Sequence, residues 1–160
     1  VFLGDDLSSQ AGPMFSPEIY REMFKPHHKR ILDTVKDGSD AKVMFHSCGG
    51  IYPFIDDLIE IGCDAINPVQ VNAKGMEPEK LKQEFGDRIA FWGAIDTQKL
   101  LPFATADEVR AETSRIIEVM GKGGGYVVNS VHNIQPEVPP ENVIAMFEAA
   151  YNHRYGSARA

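Results

Sequence analysis

Three short segments carry residue types that can do chemistry. Phe45-His46-Ser47-Cys48-Gly49-Gly50 places an imidazole and a thiol two residues apart at the end of an apolar run. On a strand, residues i and i+2 project to the same face. Histidine and cysteine side by side are good zinc ligands, and the glycines that follow let the chain turn sharply. For so short a motif, a buried cysteine beside a satisfied histidine is the plainer alternative. Asn129-Ser130-Val131-His132-Asn133 closes a second apolar run. His132 is a third candidate ligand, or a donor to an anionic substrate. Gly4-Asp5-Asp6 follows a third run. Paired acids there suit metal binding or general acid/base work, with Asp5 the catalytic candidate; a solvated capping loop is the alternative. Asn67 and Gln70 lie near another strand end and could contact a polar substrate group. Asp96 is a similar candidate, though capping a short helix after it would also explain it.

These residues matter together only if the fold gathers them. The chain alternates. Val1–Leu3 reads as a strand, and 4–14 as a polar loop. Ser16-Pro17-Glu18 starts a helix with a hydroxyl cap, a proline at the first position and an acid in the first turn. That helix runs to about Lys36, with Pro26 kinking or dividing it. Strand-like runs follow at 42–47, 64–69, 88–94 and 126–131. Helices are expected at 53–61, at 78–85, from the Thr105/Glu108 capping box to Met120, and from Pro139 to about Tyr151. Five strand–helix repeats with short connections mean parallel β/α units. In such folds the C-terminal strand ends form the active-site mouth, and His46, Cys48, His132, Asp5, Asn67, Gln70 and Asp96 all sit at those ends. An open doubly wound sheet and a (β/α)8 barrel both fit. Five units favour the second half of a barrel.

Other conspicuous residues have simpler explanations. Gly123-Gly124-Gly125 precedes a strand rather than a helix, so no helix N-terminus would face a phosphate. Cys63 lies at the other end of its strand and reads as core. His27 and His28, among Lys25, Lys29 and Arg30, read as a solvated face.

Composition narrows the function classes. The chain has 160 residues, 43% hydrophobic and 24% charged. That is ordinary globular usage, and no domain boundary is visible. Sixteen basic against 23 acidic residues give a net charge of −7. This argues against gripping a phosphate backbone, so no nucleic-acid partner is expected. The apolar runs are too short to span a bilayer, so no membrane partner is expected either. Two cysteines do not make a secreted disulfide scaffold, and a cytoplasmic protein is the expectation. The chain starts at Val1, inside an apolar run and without Met, which leads us to expect that something upstream is missing.

Together these segments resemble the uroporphyrinogen decarboxylase superfamily. That group contains a tetrapyrrole decarboxylase and zinc-dependent methyltransferases acting between corrinoid proteins and thiols. The resemblance rests on Phe15–Ile31, on Ile61-Gly62-Cys63-Asp64-Ala65 and on Trp92-Gly93-Ala94-Ile95-Asp96. It also rests on Gly125-Tyr126-Val127-Val128-Asn129 leading to Pro139-Pro140-Glu141-Asn142. It implies a (β/α)8 barrel of about twice this length. Residues 1–160 would then be one partial domain, its C-terminal portion. The methyltransferase branch uses His-x-Cys at one strand end, matched by His46 and Cys48. It usually has a further cysteine on the last strand, where this chain has His132. An acid near the first strand looks like Asp5. The decarboxylase branch has a histidine at the last strand, matched by His132, and no His-x-Cys.

The resemblance therefore implies two chemistries. With zinc on His46, Cys48 and His132, joined or not by Asp5, a substrate thiol would ionise and accept a methyl group. The partners would then be a thiol and a corrinoid protein. A true uroporphyrinogen decarboxylase needs no cofactor; there His132 would bond a tetrapyrrole carboxylate or carbonyl. A non-catalytic, self-associating half-barrel is the alternative to both. Five open parallel strands would expose two edges and an apolar face, so a homo-oligomer is expected.

Overall fold

The computed structural model describes residues 1–156. Five strands form one sheet: β1 (Phe2–Gly4), β4 (Met44–His46), β5 (Ala65–Val69), β6 (Ala90–Ile95) and β7 (Tyr126–Ser130). They pair in chain order, and every pairing is parallel. The β/α alternation expected from the sequence is therefore present. Helices make each crossover: α2 (Lys25–Asp37), α3 (Ile55–Glu60), α4 (Pro78–Phe85) and α6 (Ala106–Met120), with α7 (Pro140–Gly156) after the last strand.

The strand rows explain the burial. Phe45 pairs with Ile66, and Ile66 with Phe91. All three are fully buried. Residues in register on neighbouring strands share a face, so this row is a continuous apolar layer. Tyr20, Leu32, Phe54, Leu58, Leu81 and Val109 cover it from the helices. The row one residue further along ends on His46 and Asn67, which pair directly. Cys63 is core as expected, and burial pushes its thiol up to about 12.

The loop after β1 is more ordered than the sequence reading allows. It holds a small antiparallel hairpin, β2 (Ser8–Ser9) with β3 (Gly12–Pro13). Strands of two residues carry no readable period. The long first helix is also divided differently. A short α1 (Pro17–Ile19) widens into a π turn at Tyr20–Phe24, and α2 begins at Lys25. The Lys25 N–H reaches back to the Tyr20 carbonyl. The cause is Pro26, which has no N–H to give the carbonyl four residues back and crowds it with its ring. The helix absorbs the misfit by widening just before the proline. Arg21 and Lys25, brought together by this turn, both bond the buried Asp57 carboxylate on α3. The Asn67–Pro68 peptide is cis.

The two sheet edges are apolar. Val1 and Phe2 are exposed beside β1, and Val127, Ile144 and Phe147 beside β7 and α7. Among the described residues no helix is long and apolar enough to cross a membrane.

Candidate metal centre

His46 is the last residue of β4, and its partner strand fixes its ring. His46 Nδ1 lies 2.6 Å from Asn67 Oδ1. Its Nε2 lies 3.5 Å from Cys48 Sγ. Phe2 flanks the ring from β1, with centroids 5.7 Å apart. His132, just past β7, meets His46 at 6.3 Å in a near-perpendicular arrangement. One ligand atom each from His46, Cys48 and His132 lies within 4.8 Å of the others. The structure thus gathers the three residues singled out from the sequence.

The donors fit zinc. Zinc–nitrogen and zinc–sulfur bonds of about 2.0 and 2.3 Å at a tetrahedral angle give a nitrogen–sulfur edge of about 3.5 Å. The His46–Cys48 separation matches that edge. His132 is exposed, so its ring is free to close the remaining gap.

The turn bearing Cys48 is held by backbone and side-chain bonds. Cys48 N–H donates to Asp6 Oδ1 at 2.8 Å, and Gly49 N–H to Gln70 Oε1 at 2.7 Å. The fully buried Ser47 hydroxyl accepts the Leu7 N–H. Gly50 N–H bonds the Ser9 carbonyl of the hairpin. Burial pushes the Cys48 thiol up, and the Asp6 charge adds to the effect. A bound cation reverses that balance and favours the thiolate.

The other candidates sit at the same rim in varied roles. Gln70 braces the Cys48 turn. Asp96 accepts the N–H groups of Gln98, Lys99 and Leu100, capping the short α5 (Leu100–Phe103), and also bonds Asn72. Asp5 lies outside the three-donor group. Its backbone N–H bonds the His46 carbonyl, while its carboxylate is 3.2 Å from His28 Nε2.

His28 corrects the sequence reading, which placed it on a solvated face with His27. It is only 6% exposed. Its Nδ1 lies 3.2 Å from the buried Tyr20 hydroxyl, and its ring meets Phe45 edge-on. The signal was legible: Tyr20, Phe24, His28 and Leu32 recur every four residues, an inward helical stripe. The flanking lysines obscured it. Burial lowers the His28 pKa, outweighing the opposing hydrogen bond to, and charge of, the Asp5 carboxylate. The unfolded chain therefore binds more protons at this residue than the folded one. The stability concerned is complete above about pH 6.5 and is lost as pH falls through the lower folded value. Urea unfolding from about pH 7.5 to 5 should show a larger loss for wild type than for His28→Gln. Parallel losses in the two proteins would place the acid sensitivity elsewhere.

Comparison with known proteins follows the same lines. A family model described as Uroporphyrinogen decarboxylase (URO-D) matches residues 1–153. A protein named uroporphyrinogen decarboxylase from Hydrogenovibrio crunogenus is 29% identical over 86% of this chain and 38% of its own length. One of the same name from Thioalkalivibrio sulfidiphilus is 31% identical over 88% of this chain and 39% of its own. The chain thus spans about two fifths of the curated relatives it matches. Among solved structures, a methyltransferase from Methanosarcina mazei superposes with a TM-score of 0.75 at 22% identity. That match covers 96% of this chain and 42% of the other. The fold is accordingly a partial (β/α)8 barrel, as the repeat count and the family resemblance together led us to expect. With the family model fitting nearly the whole length, the chain belongs to the uroporphyrinogen decarboxylase family.

Proposed function

We propose that this chain contributes a zinc centre, formed by His46, Cys48 and His132, to an enzyme that transfers a methyl group to a thiol. The observation that carries the proposal is the approach of these three donor atoms to within 4.8 Å of one another. Two imidazoles and one thiolate would hold the ion and leave a fourth position for substrate. Zinc supplies Lewis acidity there, lowering the pKa of a thiol in that position. The chain's own residues do the rest. Asp6 and Gln70 hold the Cys48 turn in place through its N–H groups. Ser47 ties that turn to the loop after β1. The methyl donor in this proposal is a corrinoid protein. Self-association through the two apolar edges belongs to the same proposal.

Elemental analysis of protein purified without chelator tests it. Wild type should carry about one zinc per chain, and Cys48→Ser far less. A zinc-free wild type would overturn the proposal.

A second reading is favoured by the relatives named uroporphyrinogen decarboxylase. There the substrate is a tetrapyrrole, and His132 bonds a carboxylate or carbonyl without any metal. Carbon dioxide released from uroporphyrinogen by the longer protein, undiminished by Cys48→Ser, would favour that reading over the first.

A further inference from the structure

Resting on the zinc reading, we infer that Asn67 is a positioning residue: its side-chain oxygen fixes the proton of His46 on Nδ1 and aims the bare Nε2 at Cys48 and His132. The strand register brings the two residues together, since His46 on β4 pairs directly with Asn67 on β5. Their backbones are tied as well, the Ser47 N–H donating to the Asn67 carbonyl at 2.8 Å.

The side-chain contact then decides the tautomer. His46 Nδ1 and Asn67 Oδ1 are 2.6 Å apart. An amide oxygen only accepts, so the hydrogen in this contact belongs to the imidazole. A neutral ring with its hydrogen on Nδ1 has a lone pair on Nε2. That nitrogen is the one 3.5 Å from Cys48 Sγ. Metal-binding histidines need such a partner on the far nitrogen to hold ring orientation and raise basicity. Asn67 thus acts through His46, and its oxygen is committed to that ring rather than to a substrate.

Nitrogen-15 NMR of the metal-free protein, with cobalt(II) titration followed by its visible ligand-field bands, tests the inference. Wild type should show the Nδ1–H tautomer at His46. Asn67→Leu, of similar volume, should lose that preference and bind cobalt roughly 10–100-fold more weakly. Asn67→Asp keeps an acceptor in place and should retain both the tautomer and the wild-type affinity. Circular dichroism confirms that each variant is folded. A wild-type ring carrying its proton on Nε2 overturns the inference. So does an Asn67→Leu protein with unchanged tautomer and unchanged cobalt affinity. If wild type binds no cobalt, the zinc reading fails, and the tautomer measurement still decides the role of Asn67.

Discussion

Gly49→Ala should destabilise the protein by about 3 kcal/mol, roughly half of it from steric conflict in the turn that carries Cys48 and the rest from backbone conformation. Gly49 has φ +89°, a conformation that side chains disfavour by about 1–2 kcal/mol. A Cβ there would lie 2.6 Å from the Ser9 carbonyl oxygen and 2.7 Å from the Ser8 carbonyl group. These are backbone atoms of the hairpin, which cannot swing aside as a side chain can. Gly124 provides the control. It has the same φ, +89°, but open space around it. Gly124→Ala therefore carries the conformational cost alone. In thermal melts, Gly49→Ala should lose roughly 6–12 °C and Gly124→Ala roughly 2–8 °C. Equal shifts would mean that the hairpin yields and the turn is not closely packed. On the zinc reading, the Gly49 variant should also bind zinc more weakly, because the turn positions Cys48.

On the zinc reading, His132→Ala should weaken cobalt or zinc binding by roughly three orders of magnitude, the share of one protein ligand among three. His132→Cys should bind as tightly as wild type or more tightly, since thiolate is a softer donor well suited to zinc. The pair of variants separates ligation from substrate contact. A histidine that bonds a substrate carbonyl would make both variants catalytically poor and leave metal affinity unchanged. Competition with a chromogenic chelator gives the affinities directly. Neither substitution should alter the melting of the metal-free protein much, because His132 is exposed.

The sequence showed most of the layout. Helix α4 falls on its expected bounds, because Pro78 and Gly86 punctuate it and Leu81 and Phe85 lie four apart on one face. The Thr105–Glu108 capping box is present with both of its bonds. His46, Cys48 and His132 were legible because strand ends in parallel β/α proteins converge on one rim. The hairpin at 8–13 was not, since a two-residue strand lacks the length to alternate. Nor was the π turn, because Pro26 predicts a disturbance but not which turn absorbs it. Pairings between distant residues, such as Asp5 with His28 or Asn67 with His46, depend on strand register and helix rotation. No local pattern encodes those. The Asp96 cap, by contrast, is local, and its spacing to Gln98, Lys99 and Leu100 shows in the chain itself.

The two imidazoles come from strands three places apart in the sheet, β4 and β7. In a flat sheet those strands would lie roughly 14 Å apart. The His46 and His132 rings are 6.3 Å apart. Side-chain reach closes some of that gap, and the curl of β5 and β6 closes the rest. An ion held between them would be a chord drawn across an arc. Unrolling the sheet would stretch the chord, and filling it would resist unrolling. Affinity for the ion and curvature of the sheet are then one linked quantity, each measurable through the other.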